Sequence, residues 1–472
     1  MKRLVKGGLL VLEDSLLQGD LLIENGKIAR IAPEISVSEI GTSGTPDGDD
    51  QKPDVINAAG LVVLPGGIDV HTHFNIWVGV RAVDDFTSGT ISAVFGGTTT
   101  IVDHMGFGPA GCSLHHQWDV YKEYTQGKCV ADYGLHGVVQ HVDEAILDEM
   151  KEMSSEGIPS FKIYLTYDYK MDDADSIKVL RTLKEAGGIT TVHCENDAII
   201  QYLRRKYVSE GHTEAKYHPL SRPPYCEAEA VSRMIALSRA AGNAPLYIVH
   251  VSTAEGTQLI RKARAEGLPV FGETCPQYLF LDDSCYDDPV EGLKYILSPP
   301  IRPKGHQEAL WEGIRDGSIQ VFATDHCSFS FHGDKQRGKD DFTCCPNGAP
   351  AVELRMPLLF SEGVSAGKID LNTFAKLTST NPAQLMGMYP EKGVLREGSD
   401  ADLVFFDPKM EVDVTHQILH DACDYTPYEG MHLTGWPVRT IIRGTDVVKD
   451  ERLLVKEGFG EFIRRGHLSF EV

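Results

Sequence analysis

The chain has 472 residues, 42% hydrophobic and 24% charged, proportions ordinary for a soluble globular protein of two or three domains. Its net charge of -23 repels nucleic acid and anionic membrane, so neither is an expected partner. The N-terminal apolar run is short and broken at Glu13 and Asp14, and no apolar stretch could span a bilayer, so a cytoplasmic location is expected.

Ten cysteines are scattered along the chain and are expected as free thiols in a reducing compartment. Residues 1–60 alternate short β-like runs at 9–12, 20–23 and 27–31, with Asn25-Gly26 as a hairpin turn between two of them. The segment 40–53 is acidic and rich in Gly and Pro, the composition of a surface loop. A new rhythm starts near Leu61. Eight apolar, β-branched runs follow, at 61–70, 98–102, 133–139, 160–165, 189–192, 246–251, 269–273 and 319–323. Helix-like stretches such as 172–186, 227–241 and 253–265 separate them. Strand alternating with helix means a parallel sheet, and eight such units predict a (β/α)8 TIM-like barrel over residues 61–389. After Pro390 β-like runs return at 393–395, 401–406 and 438–442. Segments 1–60 and 390–472 are therefore expected to pair into a small β-sandwich domain built from both chain termini.

Barrel chemistry sits where strands end. The first run ends in His71-Thr72-His73, the fourth carries Lys162, the fifth ends in His193, the sixth in His250 and the eighth in Asp325. The second ends Asp103-His104 and the seventh reaches Glu273. Residues two apart on a strand share a face, so His71 and His73 can grip one ion together. Imidazole and carboxylate suit zinc, manganese or iron. Any one of these histidines is more simply a hydrogen-bonded core residue; their recurrence on several strand ends favours a metal site. Lys162 is costly to bury as an ammonium. It needs either an ion pair, with Asp103 for example, or a chemical change of the amine.

These residues resemble a known family. Pro65-Gly66-Gly67-Ile68-Asp69-Val70-His71-Thr72-His73 resembles the first metal motif of the cyclic amidohydrolases, which include hydantoinases, dihydropyrimidinases, allantoinases and dihydroorotases. Ser160-Phe161-Lys162 resembles their carboxylated-lysine motif, and Val192-His193-Cys194-Glu195-Asn196 and Ile248-Val249-His250-Val251-Ser252 resemble further ligand motifs. Ala323-Thr324-Asp325-His326-Cys327 resembles the catalytic aspartate motif, and Glu397-Gly398-Ser399-Asp400-Ala401-Asp402-Leu403 the terminal β-domain. The likeness runs in order along the whole chain. It is strongest to the hydantoinase/dihydropyrimidinase branch, where 103–109 is similar to the bacterial D-phenylhydantoinase form.

The resemblance implies two divalent metal ions per subunit, zinc by preference. Lys162, carboxylated by CO2, would bridge them as a carbamate; His71, His73 and Asp325 would hold one ion and His193 and His250 the other. A hydroxide between the ions would open a ring amide, with Asp325 carrying the proton. Tyr167 would stabilise the oxyanion, while Ser298 and Asn347 would bind the cyclic imide. The implied substrate is a small cyclic ureide, a 5-monosubstituted hydantoin opened with D-specificity and tolerance of aromatic substituents, to an N-carbamoyl amino acid. Dihydropyrimidinase is the sister reading and allantoinase a weaker one. Dihydroorotase is disfavoured because its carboxylate substrate calls for an arginine-rich pocket that cannot be placed in the sequence. A catalytically inactive tetrameric scaffold is the reading from another class. The resemblance also implies a homotetramer. His104, His136, His141 and His326 are expected as core or supporting residues. The loops 76–86 and 164–171 are expected to wall the substituent pocket, with Trp77, Val78 and Tyr164 as apolar contacts.

Overall fold

A computed structural model describes residues 2–40, 54–466 and 468. The expected acidic loop at 40–53 lies outside these residues, except for Ile40 at the end of a short helix, Val37–Ile40.

Eight parallel strands lie side by side in chain order: β1 (Gly67–Thr72), β2 (Thr98–His104), β3 (Asp132–Val138), β4 (Ser160–Tyr164), β5 (Ile189–His193), β6 (Leu246–Ile248), β7 (Val270–Thr274) and β8 (Val321–Phe322). The sheet closes between its first and last members. The His73 N–H donates to the His326 carbonyl at 2.8 Å, and the Thr324 hydroxyl donates to Asp69 at 2.6 Å. This is the expected (β/α)8 barrel. Helices start next to the strand ends because polar caps sit there: Asp85, Ser113, Asp143, Asp172, Asn196 and Thr253 each accept a backbone N–H in the first turn.

The barrel changes character along its strands. Val102, Ile189, Phe271, Val321 and Ala323 pack with Ala383, Leu385, Met386 and Met388 in one apolar cluster. Two to four residues further along the same strand faces come His104, His193, Glu273 and Asp325. The strand starts form an apolar floor and the strand ends a polar rim.

The chain ends meet in a second, mixed sheet of nine strands. Its order is Arg452–Leu453, Thr445–Lys449, His432–Ile442, Leu403–Asp413, Val62–Pro65, Lys2–Val11, Leu16–Glu24 and Lys27–Ala32, with Asp54–Asn57 also pairing Lys2–Val11. Two sequence expectations are corrected here. The run at 61–70 is two strands. Val62–Pro65 belongs to the terminal sheet and joins its N-terminal and C-terminal halves, and only Gly67–Thr72 enters the barrel. The break falls at Gly66, where a Cβ would lie 2.2 Å from the Thr99 hydroxyl. Residues 393–395 form no strand; Gly393 sits in a turn with φ 81°. The sandwich is one continuous sheet that wraps on itself. The Asn25-Gly26 hairpin turn meets the Arg443-Gly444 turn, and Gly444 N–H and Arg3 bind loops across the gap. Inside lie Val5, Leu21, Ile28, Val63, Leu403, Phe405 and Ile441. All ten cysteines are free, and among the described residues no helix is long and apolar enough to cross a membrane.

Candidate active site and metal centre

One cavity of about 700 Å³ opens at the strand ends. Its lining includes every site residue expected from the sequence: His71, His73, Lys162, Tyr167, His193, His250, Ser298, Asp325 and Asn347. Asp325 Oδ1 lies 3.0 Å from His71 Nε2 and 3.1 Å from His73 Nε2. Yet His71 Nε2 makes no hydrogen bond. Three donor atoms meeting in this way suit a cation, since tetrahedral zinc bonds of about 2.0–2.1 Å place ligands about 3.3 Å apart. The rings of His193 and His250 are 4.5 Å apart, and those of His71 and His250 5.5 Å.

The electrostatics favour added positive charge. Burial alone would pull His71 down, but Glu273 and Asp325 outweigh it and push it up to about 9. Burial pulls His73 down to about 4 and lowers His193 and His250. His73, His193 and His250 are thus neutral and Asp325 ionised, the protonation states a metal requires, while His71 carries a proton that a bound cation would displace. Lys162 is 1% exposed, and among the described residues no carboxylate lies within 4 Å of its amine. The alternative ion pair with Asp103 does not form. Asp103 instead accepts the Thr72 hydroxyl at 2.7 Å and the Phe74 N–H at 2.9 Å, clamping the chain on both sides of His73. Burial pulls Lys162 down to about 8.

Backbone strain marks the same residues. Tyr167, His250 and Asp325 have φ of 75°, 41° and 55°, left-handed values that a non-glycine residue adopts only when its surroundings impose them. Tyr167 packs 5.2 Å from the His193 ring, and burial raises its phenol, which keeps the proton on.

The residue-type pattern has close counterparts. The Amidohydrolase family pattern matches residues 62–447. The chain is 50% identical over 467 residues to a D-phenylhydantoinase of Escherichia coli O1:K1 / APEC, covering 98% of each chain. The chain belongs to the amidohydrolase family. Its fold matches the crystal structure of a dihydropyrimidinase from Brevibacillus agri NCHU1002 with a TM-score of 0.94 at 40% identity, covering 100% of both chains. It matches an L-hydantoinase (dihydropyrimidinase) from Arthrobacter aurescens with a TM-score of 0.87 at 30% identity, covering 98% of this chain and 100% of that one.

Around the donor set this amidohydrolase carries supports to which the sequence reading assigned no role. Glu273 accepts from His71 Nδ1 at 2.6 Å, from the His250 N–H at 3.0 Å and from the Tyr247 hydroxyl at 2.8 Å. It turns His71 Nε2 toward the cavity and holds the strained His250 backbone. Glu195 orients His193 through the other ring nitrogen, engaging Nε2 at 2.8 Å and leaving Nδ1 for the cavity, and is itself held by Arg222. Burial would raise Glu195, but Arg222 and His193 outweigh it and bring it down to about 2. Glu227 accepts the Ser252 and Thr253 N–H groups in the loop after His250. Lys335, fully buried, donates to the Ile296 carbonyl at 2.7 Å and the Pro346 carbonyl at 2.9 Å. It thereby ties together the segments carrying Ser298 and Asn347. Gly348 seals that junction with its N–H on Ile296 O at 3.1 Å; a Cβ there would lie 2.3 Å from the Cys327 carbonyl oxygen.

His71, His73 and His104 also offer ligand atoms within 4.8 Å of one another. His104 does not line the cavity. It stacks on His136 at 4.2 Å, in a buried layer beneath the rim. His136 bonds Val70 and Ser160, and His326 bonds Asp84 at 3.0 Å, both supporting roles as expected. His141 lies outside the cavity, 3.8 Å from Asp143. Trp77, 61% exposed, Val78 and Tyr164 wall the cavity as expected. The cavity lining also includes two arginines that the sequence could not place there, Arg204 and Arg337.

Proposed function

We propose that this chain opens the ring of 5-monosubstituted hydantoins, with D-specificity and tolerance of aromatic substituents, releasing N-carbamoyl amino acids. The carrying observation is the convergence of His71 and His73 on Asp325, at 3.0 and 3.1 Å, in the cavity that also holds Lys162, His193 and His250. The 50% identity to a D-phenylhydantoinase supports the substrate class.

In this reading His71, His73 and Asp325 would hold one zinc ion, His193 and His250 would hold a second, and Lys162, as its carbamate, would serve as a ligand to both. When bound, such ions polarise the ring carbonyl and activate water near neutral pH. Burial brings Lys162 down to about 8, which frees part of its amine to react with CO2 near neutral pH. The neutral nitrogen adds to the carbon of CO2 and sheds a proton. Tyr167 donates its hydroxyl to the oxygen that gains negative charge as the carbonyl carbon becomes tetrahedral. Asp325 moves a proton from the attacking water to the ring nitrogen, whose bond to that carbon breaks. Ser298 and Asn347 hold the imide edge on the segments that Lys335 ties together. Water is added across one C–N bond, leaving a carboxylate and a ureido group.

Residues 67–389 form the catalytic unit in this reading, and the segments before Gly66 and after Tyr389 the flanking one. The working form is a cytoplasmic homotetramer. Initial rates on phenylhydantoin, hydantoin, dihydrouracil and allantoin, with product chirality, test the substrate. Phenylhydantoin is expected to be fastest and to give the D product. A dominant dihydrouracil rate would favour the dihydropyrimidinase reading, supported by the 40% identity to the Brevibacillus agri enzyme. Replacing Trp77 by Ala is expected to lower the preference for phenylhydantoin over dihydrouracil.

A further inference from the structure

We propose that the cavity contains a cationic subsite, formed by Arg204 and Arg337, for a carboxylate at the end of the substrate's ring substituent. The proposal rests on the ring-opening reading and adds a substituent class to it. Both arginines line the cavity that holds His71, Lys162 and Asp325. Arg204 projects from the helix Asp197–Ser209, is half-buried, and donates to the Thr343 carbonyl at 3.0 Å. Arg337 is exposed and lies 3.5 Å from the Gly79 carbonyl oxygen.

Among the described residues neither arginine has a carboxylate within 4 Å. The chain carries 68 acidic and 45 basic residues, yet both cations facing this part of the cavity meet backbone carbonyls and no carboxylate. The neighbouring buried arginines are matched: Arg222 by Glu195, and Arg302 by Glu227 at 4.0 Å. Of the two carboxylates lining the cavity, Asp325 is engaged by His71 and His73, and Asp168 is exposed. Asp341 is near enough to act on Arg204, but it caps its own turn, accepting the Thr343 N–H at 2.8 Å. Burial and then Arg222 weaken the hold of Arg204 on its proton. A guanidinium partly removed from water recovers its desolvation cost by binding an anion, best a planar carboxylate. Trp77, Val78, Phe107 and Tyr169 supply apolar lining in the same cavity. The fitting substituent is an apolar chain that ends in a carboxylate. Neutral aromatic groups fit the apolar lining alone.

The long-range field opposes this preference, because the net charge of -23 repels an anion. Any selectivity for the anion must therefore arise at contact. The test compares 5-(2-carboxyethyl)hydantoin with 5-(2-carbamoylethyl)hydantoin, which differ by one charge and almost no volume. Zinc-loaded wild type, Arg204→Lys, Arg204→Gln and the Arg204→Gln/Arg337→Gln double variant are compared by kcat/KM, with thermal melting to confirm folding. The wild type is expected to favour the carboxylate about tenfold. Arg204→Lys should keep part of that preference. Arg204→Gln should bring it near unity, and the double variant should reverse it. A wild-type ratio at or below one, or a ratio unchanged in the double variant, overturns the proposal. Turnover of phenylhydantoin but of neither test compound overturns it and leaves ring opening standing. If no cyclic ureide is opened by metal-loaded protein, the ring-opening reading falls and the subsite falls with it.

Discussion

The two ends of the barrel strands follow opposite rules. At the floor, Ile189, Phe271 and Val321 pack against Leu385, Met386 and Met388 in one apolar cluster. At the rim, the same strand faces carry His193, Glu273 and Asp325, and the backbone is left-handed at Tyr167, His250 and Asp325. Each such residue costs about 1–3 kcal/mol and persists only where its surroundings over-determine it. The Glu273 bond to the His250 N–H is one such restraint. Apolar packing below thus stabilises a fold that can carry strain, buried charge and unsatisfied donors above.

Breaking one end should leave the other intact. The largest effect is expected from Asp325→Ala, which removes a donor and the proton carrier together. We expect kcat/KM to fall about 10⁴-fold with secondary structure unchanged by circular dichroism; retained turnover would show that the rim is not the reacting site. Phe271→Ala strikes the floor and should lower unfolding free energy by about 3–5 kcal/mol in denaturant titrations. Its activity per folded molecule should stay within a few-fold of wild type. A collapse of activity in the folded variant would mean that floor and rim are one unit. Tyr167→Phe removes a single hydroxyl and should reduce kcat about 10²–10³-fold with KM little changed. Glu273→Gln is milder because it acts through His71. Metal affinity should drop about 10–100-fold, measured by competition with a chelator, and unchanged affinity would reduce Glu273 to a packing residue.

What the sequence made legible follows from the same contrast. Ligands on strands sit at fixed period-two positions, so His71, His73, His193 and Asp325 could be placed from spacing and strand order. Tyr167, Ser298 and Asn347 lie in loops, where no periodicity applies, and only family resemblance singled them out. Glu195 stands two residues after His193 in the same quoted motif, so its supporting role was within reach of the strand period. Lys335, Arg204 and Arg337 reach the cavity from segments remote in sequence. Nothing local distinguishes them from surface cations, and their meaning lies in the tertiary partners they have or lack. The division of 61–70 into two strands was hidden because both halves are apolar, Gly66 and Gly67 being the local marks of the break.

The central claim is a rim built to hold two metal ions through six named residues. Elemental analysis of purified protein, wild type beside a His71→Ala/His193→Ala variant, tests it most directly. The account predicts about two zinc ions per wild-type chain and a clear loss in the variant. A wild-type protein that binds no divalent metal, even when zinc is supplied during expression, would contradict it.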